Sequence, residues 1–283
     1  MAENPKTILI TGCSSGIGLR CAKILKERGW RVFATARKQE DVDRLNDNGF
    51  ESLLLDLDKS DSIQDAVTDI LQRTGGTLDA LFNNGAYGQP GAVEDLNRET
   101  LRQQFETNLF GTAELMNTVI PVMRRQGHGR IVQNSSVLGF VAMPYRGAYN
   151  ASKFALEGLT DTLRLELKGT NIHLSLIQPG PIESKFRQNA FAAFKANIDP
   201  THSPHRENYE AMEARLKKEG PAAPFTLPAD AVADKLIHAL ESRRPKIRYP
   251  VTFPTWLFTW LKRLLPAHWM DGLLLKASGD GKR

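Results

Sequence analysis

Short runs of aliphatic and β-branched residues alternate along the chain with longer stretches in which apolar residues recur every three or four positions. The runs that predict strands are KTILIT, RVFATA, SLLLDLD, LDALFNN, RIVQNSS, IHLSLIQPG and KIRYPV. Helical spacing separates them, for example over residues 15–28 and 60–73. Strands that alternate with helices favour parallel pairing with right-handed crossovers. The pattern therefore predicts an α/β fold with a mostly parallel seven-stranded sheet and helices on both faces.

Such a sheet is of the doubly wound, Rossmann type, in which a ligand binds in a crevice at the carboxyl ends of the strands. Two helices carry more specific predictions. Asn97 is suited to cap a long helix that reaches about Met123, with Pro121 near its end. A later helix, which holds Tyr149 and Lys153, continues through leucines whose spacing predicts one buried stripe: Leu156, Leu159, Leu163 and Leu167.

Two segments depart from this alternation. Residues 184–226 are polar, are interrupted by proline and hold one helix-like stretch, RENYEAMEARLKKEG. Their position suits a cover over the crevice, although a plain surface insertion fits equally well. Residues 251–283 form an apolar extension with three of the four tryptophans; it can pack on its own subunit, form a subunit interface or lie on a membrane surface. We expect one domain over residues 1–283 that includes both segments.

Composition narrows the classes of function. The chain has 37 Lys and Arg against 32 Asp and Glu, without a block of like charges or a nucleic-acid-binding motif, so we expect no nucleic-acid partner. Cys13 and Cys21 predict neither a disulfide framework nor a metal site. The polar start leads into the first strand without a signal-peptide pattern, and the apolar run over residues 249–261 is too short to span a bilayer. We expect a cytoplasmic protein.

A glycine-rich turn, TGCSSGIG, joins the first strand to the first helix. Gly12, Gly16 and Gly18 permit a tight turn and close approach to a pyrophosphate at the helix N-terminus, although a packing turn alone is the alternative. The second strand ends ATARK, without the acidic residue that binds the ribose 2′-hydroxyl of NAD. Arg37 can instead bind the 2′-phosphate of NADP, unless it is merely solvated. The sequence predicts NADP(H).

In this order the motifs resemble those of the short-chain dehydrogenase/reductase family over about residues 7–184. The motifs are TGCSSGIG, Asp56 after the third strand, NNGA after the fourth, Asn108 in the long helix, Ser136 after the fifth strand, Tyr149-x-x-x-Lys153, and PGPI from Pro179. The chain is most similar to the branch that contains hydroxysteroid and retinol dehydrogenases. The resemblance implies an NADP(H)-dependent oxidoreductase that interconverts an apolar carbonyl compound and its alcohol, and a homo-oligomer (dimer or tetramer).

The resemblance also implies residue roles. Tyr149 would be the acid/base, Ser136 would orient the substrate oxygen, and Lys153 would bind the nicotinamide ribose. Asn108 would anchor a water of a proton relay; the alternative is a buried asparagine satisfied by main chain. Lys153 and a positive nicotinamide should draw the pKa of Tyr149 toward neutrality. The expected cofactor-binding residues are Gly12, Ser14, Ser15, Gly16, Ile17, Gly18, Arg37, Asp56, Leu57, Asn83, Gly85, Tyr149, Lys153, Pro179, Gly180 and Ile182. No metal is expected.

One position departs from the family pattern, which reads Asn-Asn-Ala-Gly where this chain has Asn83-Asn84-Gly85-Ala86. If position 86 requires a positive φ, Ala86 would be strained there. Two alternatives to the main hypothesis stay open. The protein could reduce 3-oxoacyl thioesters, or it could be a non-catalytic NADP(H)-sensing protein. The set Asn108, Ser136, Tyr149 and Lys153 argues against a pure sensor, because binding alone needs no proton donor.

Overall fold

The computed structural model describes residues 5–218, 220 and 223–279. Its sheet has seven strands in the order β3-β2-β1-β4-β5-β6-β7, and every neighbouring pair is parallel. The strands are β1 (Thr7–Ile10), β2 (Arg31–Ala36), β3 (Glu51–Leu54), β4 (Ala80–Asn83), β5 (Gly129–Asn134), β6 (Ile172–Gln178) and β7 (Arg248–Pro250). The order reverses between β1 and β4, which opens a crevice at their carboxyl ends. The predicted doubly wound fold is confirmed.

Helices cover both faces of this sheet. The helices are α1 (Gly16–Glu27), α2 (Gln39–Asp47), α3 (Ser60–Thr74), α4 (Arg98–Phe105), α5 (Gly111–Gln126), α6 (Gly147–Glu166), α7 (Phe186–Asn197), α8 (Arg206–Lys217), α9 (Asp230–Glu241), α10 (Phe253–Leu264) and α11 (Ala267–Ala277). Helices α1, α2 and α9 bury their apolar residues with one face of the sheet. Helices α3 and α5 bury theirs with the other face. Because both faces of these strands are buried, their sequences are continuous apolar runs, which allowed the strands to be predicted.

The long helix predicted after Asn97 is divided. The Asn97 side chain caps α4 by accepting a hydrogen bond from the Thr100 N–H at 2.9 Å. A π-helical turn (Glu106–Phe110) then precedes α5, which continues past Pro121 to Gln126 rather than ending near Met123. Gly111 begins α5 where a Cβ would overlap the Leu57 carbonyl oxygen, so this helix lies directly against the loop after β3.

Helix α6 departs from the predicted leucine stripe at one position. Leu156 and Leu167 are buried, but Leu159 is 39% exposed. The buried face of the helix follows a different set: Ser152, Lys153, Leu156, Glu157 and Thr160. Polar residues of the site described below therefore share the buried face with Leu156, and Leu159 lies outside this face.

The segment over residues 184–226 holds two helices, α7 and α8, rather than the one predicted. Ala190 and Phe194 of α7 and Tyr209 of α8 form an apolar cluster with residues such as Leu96 and Ala148. The Tyr209 hydroxyl accepts a hydrogen bond from the Ala92 N–H at 2.9 Å. The segment is thus packed onto the sheet domain, with residues 219, 221 and 222 outside the described part.

The C-terminal extension forms α10 and α11. Phe258, Met270 and Leu274 pack against Val137 and Leu138, which follow β5. Residues 1–4 of the predicted domain and 280–283 of the extension lie outside the described residues. Among the residues that the structure describes, no helix combines the length and apolarity needed to span a bilayer.

Candidate active site

A cleft of about 1840 Å³ lies at the carboxyl ends of the strands, bordered by α7, α8 and α10. Pockets for one small molecule span about 300–1000 Å³, so this cleft has room for a dinucleotide and a substrate. Most of the residues predicted from the sequence line it: Gly12, Ser14, Ser15, Gly16, Ile17, Arg37, Asp56, Leu57, Gly85, Ser136, Tyr149, Lys153, Pro179, Gly180 and Ile182. Gly18, Asn83 and Asn108 are not among its lining residues.

The glycine-rich turn forms the floor of the cleft at the start of α1. Gly12 and Gly16 have φ values of 70° and 57°, in the left-handed region that favours glycine. A Cβ on Gly18 would overlap the Gly12 carbonyl oxygen, so this glycine closes the turn without reaching the cleft. The turn leaves the N-terminal N–H groups of α1 facing the cleft without a side-chain cap, which is the arrangement that binds phosphate. These residues fit a dinucleotide.

Three cations border the cleft beyond β2. Lys38 is paired with Glu40 at 3.3 Å, and Arg44 with Asp41 at 2.5 Å. Arg37 is exposed and has no ion pair among the described residues. Sequence reasoning missed Arg44, whose Nη2 donates to the Ser14 carbonyl oxygen at 2.9 Å and so holds the phosphate turn. Arg37 is therefore the cation free to bind an anion here.

The Gly85-Ala86 exchange leaves no strain in the backbone. Neither residue has a positive φ. The Thr11 hydroxyl accepts hydrogen bonds from the N–H groups of Asn84 and Gly85 at 2.9 and 2.8 Å, which fixes the loop. Asn83 is buried at the end of β4, and its amide has no hydrogen-bond partner among the described residues. Asn84 lines the cleft instead and donates to the Thr11 carbonyl oxygen at 3.0 Å.

Helix α6 and the end of β5 bring Ser136, Tyr149 and Lys153 together. The Lys153 ammonium lies 5.7 Å from the centroid of the Tyr149 ring and donates to the Asn134 carbonyl oxygen at 2.7 Å. The Ser136 side chain hydrogen-bonds to Tyr149 and accepts from the Leu138 N–H at 3.1 Å. The Tyr149 ring packs edge-on against Phe186 of α7, with ring centroids 5.3 Å apart. A proton donor, a polar orienting group and a cation thus face one cleft.

Burial shifts the pKa values of two groups in this cluster. Burial raises the pKa of Tyr149 to about 12, and the hydrogen bond with Ser136 opposes this only in part. Burial lowers the pKa of Lys153 to about 8, against the opposing charge of Glu157. The phenol is therefore protonated at neutral pH in the chain without its cofactor. The lowering of the Tyr149 pKa by Lys153 together with a positive nicotinamide stays a prediction for the cofactor complex.

Asn108 lies in the π-helical turn and is buried. Its side-chain NH₂ donates to the Tyr87 carbonyl oxygen at 3.0 Å and to the Ser152 hydroxyl at 3.1 Å. Its carbonyl oxygen accepts from the Tyr87 N–H at 3.2 Å. The side chain therefore connects the loop after β4 to α6, as the alternative interpretation proposed. An additional role in a water relay stays a prediction.

A buried carboxylate that the sequence did not reveal supports the site. Glu157 accepts hydrogen bonds from Ser135 at 2.6 Å and Gln178 at 2.8 Å, and it pairs with Arg248 at 3.0 Å. Arg248 also pairs with Asp161 at 2.5 Å. The only sequence signal is that Glu157 follows Lys153 by one helical turn. Its partners come from β6, β7 and the loop after β5, so it joins α6 to three strands.

Comparison with known proteins agrees with this geometry. The family model described as short chain dehydrogenase matches residues 6–194. The chain is 43% identical to the uncharacterized oxidoreductase YbbO of Escherichia coli K12 over 95% of this chain and 94% of that one. It is 33% identical to human 17-beta-hydroxysteroid dehydrogenase type 1 over 87% of this chain and 77% of that one.

A solved structure of a short chain dehydrogenase/reductase from Burkholderia phymatum in complex with NAD has the same fold. The TM-score is 0.76 at 25% identity, over 92% of this chain and 93% of that one. The predicted resemblance, including the link to hydroxysteroid-type relatives, is confirmed. With a family match over most of its length, a doubly wound sheet and the Ser136, Tyr149 and Lys153 cluster in its cleft, this chain belongs to the short-chain dehydrogenase family of oxidoreductases.

Proposed function

We propose that the protein is an NADP(H)-dependent carbonyl reductase that converts an apolar aldehyde or ketone to its alcohol. The observation that carries this proposal is the cluster of Ser136, Tyr149 and Lys153 in a cleft large enough for cofactor and substrate. The nicotinamide dinucleotide, when bound, supplies the hydride that reaches the carbonyl carbon. Tyr149 donates its hydroxyl proton to the carbonyl oxygen, and Ser136 holds that oxygen by a hydrogen bond.

The protonation of Tyr149 is compatible with carbonyl reduction. Burial raises its pKa to about 12 in the chain without cofactor, so the hydroxyl carries at neutral pH the proton that a reduced carbonyl oxygen requires. For alcohol oxidation, the positive charge of a bound oxidised nicotinamide would favour the phenolate. Lys153, with a pKa of about 8, is mostly charged at neutral pH and can stabilise the phenolate left after proton donation.

The residues that would hold the cofactor follow the cleft. The turn from Gly12 to Ile17 would bind the pyrophosphate, and Asp56 and Leu57 would border the adenine. Lys153 would bind the ribose next to the nicotinamide, with Pro179, Gly180 and Ile182 beside the ring. Because Arg37 is unpaired among the described residues and no acidic residue ends β2, we favour NADP over NAD.

An apolar substrate fits the remaining walls of the cleft. These walls include Leu138, Met143, Phe186, Phe253, Leu257 and Phe258. They come from the loop after β5, from α7 and from α10, so three separate elements contribute apolar surface. The human hydroxysteroid dehydrogenase among the relatives supports a substrate of this class.

The proposal is tested by measuring NADPH oxidation with a panel of aldehydes, steroid ketones, retinal and 3-oxoacyl thioesters. We expect turnover of apolar aldehydes or ketones. Turnover of 3-oxoacyl thioesters alone would show that the substrate is a thioester rather than an apolar aldehyde or ketone. NADPH binding without turnover of any carbonyl would instead support the sensing protein.

Arg37→Ala is expected to raise the KM for NADPH by about 10–100-fold, because a charged hydrogen bond is worth about 1.5–3 kcal/mol and each 1.4 kcal/mol is tenfold. The KM for NADH, which has no 2′-phosphate, should change little. Steady-state kinetics with both cofactors check this result. Lys38→Ala is the control, since Lys38 is already paired with Glu40. Equal losses for the two cofactors would remove Arg37 from the phosphate site.

A further inference from the structure

Helix α10 exposes a continuous row of large apolar side chains. Phe253, Trp256, Trp260 and Leu264 are between 48% and 73% exposed, and their spacing places them along one side of the helix. The opposite side is buried through Thr255 and Phe258. We name these four residues the tryptophan stripe. Contiguous exposed rows of large apolar side chains commonly mark surfaces that contact another protein or a membrane.

The stripe continues onto neighbouring elements. Phe225 is exposed before α9 and packs against Phe253, with ring centroids 5.3 Å apart. Phe253 in turn stacks on Trp256 at 6.4 Å. The φ of Phe225 is 60°, in the left-handed region, which is unfavourable for a bulky side chain. Contacts of the folded chain must therefore stabilise this backbone conformation. Helix α11 adds exposed Trp269 and Leu273 on one of its own sides.

The charges beside this surface are mainly positive. Arg263 lies over the Trp260 ring at 5.7 Å, and Lys276 follows Leu273 by one turn. Between residues 253 and 277 the other charged residues are Asp271 and Lys262, and Lys262 lies on the opposite side of α10, where it donates to the Phe140 carbonyl oxygen. Tryptophan and basic residues on an amphipathic helix suit the boundary between lipid headgroups and acyl chains. A second copy of the chain would instead bring like charges together around the same patch.

We propose that the tryptophan stripe and the exposed side of α11 dock on the surface of a lipid bilayer that contains anionic headgroups. The tryptophan and phenylalanine rings would enter the headgroup region, and Arg263 and Lys276 would pair with lipid phosphates. The helices lie on the bilayer and do not cross it.

Docking would also bring lipid to the mouth of the cleft. Phe225 and Phe253 belong to the exposed patch and also line the cleft, together with Leu257 on the inner side of α10. An apolar carbonyl compound dissolved in the bilayer could therefore enter without crossing water. This consequence rests on the proposed function, whereas the docking itself does not.

Co-sedimentation with vesicles of phosphatidylcholine and phosphatidylglycerol tests the docking. We expect the full chain to pellet with these vesicles and Trp256→Ser/Trp260→Ser to stay in the supernatant, with at least a tenfold loss of binding. The matched control is Leu54→Ser/Leu165→Ser, which replaces two exposed leucines on other elements and should pellet like the wild type. Equal pelleting of the tryptophan variant, or no pelleting of the wild type, would overturn the proposal.

Two charge-reversal variants test whether docking requires anionic lipids. Arg263→Glu/Lys276→Glu should lower binding to the anionic vesicles more than Arg124→Glu/Arg125→Glu, which makes the same change in net charge at exposed positions of α5. Equal effects of the two charge variants, or equal binding of the wild type to vesicles of phosphatidylcholine alone, would show that anionic lipid is not required.

Light scattering without lipid tests whether the patch is instead an interface between two copies of the chain. The wild type and Trp256→Ser/Trp260→Ser should have the same mass; dissociation of an oligomer in the variant would assign the patch to a second copy and overturn docking.

Activity separates this proposal from the proposed function. Neither tryptophan lines the cleft, so Trp256→Ser/Trp260→Ser should retain reduction of a water-soluble aldehyde. Loss of that activity would show that the stripe supports the fold rather than a membrane contact, and would overturn the proposal. Vesicle binding without any carbonyl turnover would reject the proposed function and leave the docking intact.

Discussion

Tyr149→Phe is expected to lower kcat for carbonyl reduction by about 10²–10⁴-fold, the usual contribution of a positioned general acid. Phenylalanine keeps the ring that packs against Phe186 but lacks the proton that the carbonyl oxygen requires. NADPH binding should fall much less than kcat, because Lys153, the phosphate turn and the other walls of the cleft are unchanged. Steady-state and single-turnover rates with the best aldehyde or ketone of the panel measure the effect.

Tyr87→Phe is the matched control. Tyr87 also lines the cleft, and burial raises its pKa to about 12, so the same substitution removes a similar hydroxyl from the same cavity. We expect Tyr87→Phe to retain most of the activity. If Tyr149→Phe kept the wild-type rate, the proton would come from another group. If the two variants lost activity equally, the loss would reflect a general change in the cleft.

The pKa of this tyrosine marks a limit of sequence reasoning. The spacing of Tyr149 and Lys153 in the chain correctly places a cation near the phenol, since the two residues are one turn apart on α6. The sign of the pKa shift depends on how much water the folded chain removes from the hydroxyl. Phe186, which packs against the Tyr149 ring, lies on another helix, so the spacing within α6 could not reveal this contact.

The fold followed more directly from the sequence. Buried parallel strands are continuous apolar runs, and the phosphate turn contains Gly12 and Gly16, which both have the positive φ that glycine permits. Predictions were wrong where a polar site replaces an apolar contact. Leu159 was assigned to the core by its spacing, but Ser152, Lys153 and Glu157 occupy the buried face of α6. Helix α7 was missed because few of its residues are buried, chiefly Ala190 and Phe194.

Glu157 was missed for a further reason, since its partners are distant in sequence. Gln178 lies 21 residues away and Arg248 lies 91 residues away. A glutamate on a helix that is also rich in exposed residues carries no pattern that distinguishes it from a solvated one. Only the sheet order, which brings β5, β6 and β7 beside α6, reveals that this carboxylate is enclosed.

Glu157→Gln is therefore expected to lower the free energy of unfolding by about 1–3 kcal/mol, because the buried carboxylate loses its charge-assisted hydrogen bonds, although Arg248 is 35% exposed and keeps its pair with Asp161. The glutamine keeps the volume of the side chain but loses the charge that faces Arg248. Ser135 and Gln178 donate to one carboxylate oxygen and Arg248 donates to the other, so the NH₂ group of the glutamine must face a donor on one of the two sides. Urea unfolding followed by circular dichroism measures the change.

Asp161→Asn provides the control, since Asp161 pairs with the same arginine but is more exposed. Its expected loss is about 0–1 kcal/mol, as for surface pairs.

Glu157→Gln should also lower the pKa of Lys153 below its present value of about 8, because the Glu157 charge now raises it. Less of the ammonium would then be present at neutral pH, and the rate of reduction should fall. Equal, small losses of stability in both variants would show that Glu157 contributes no more than a surface carboxylate. An unchanged pH profile of the reduction rate in Glu157→Gln would show that Lys153 keeps its charge without it.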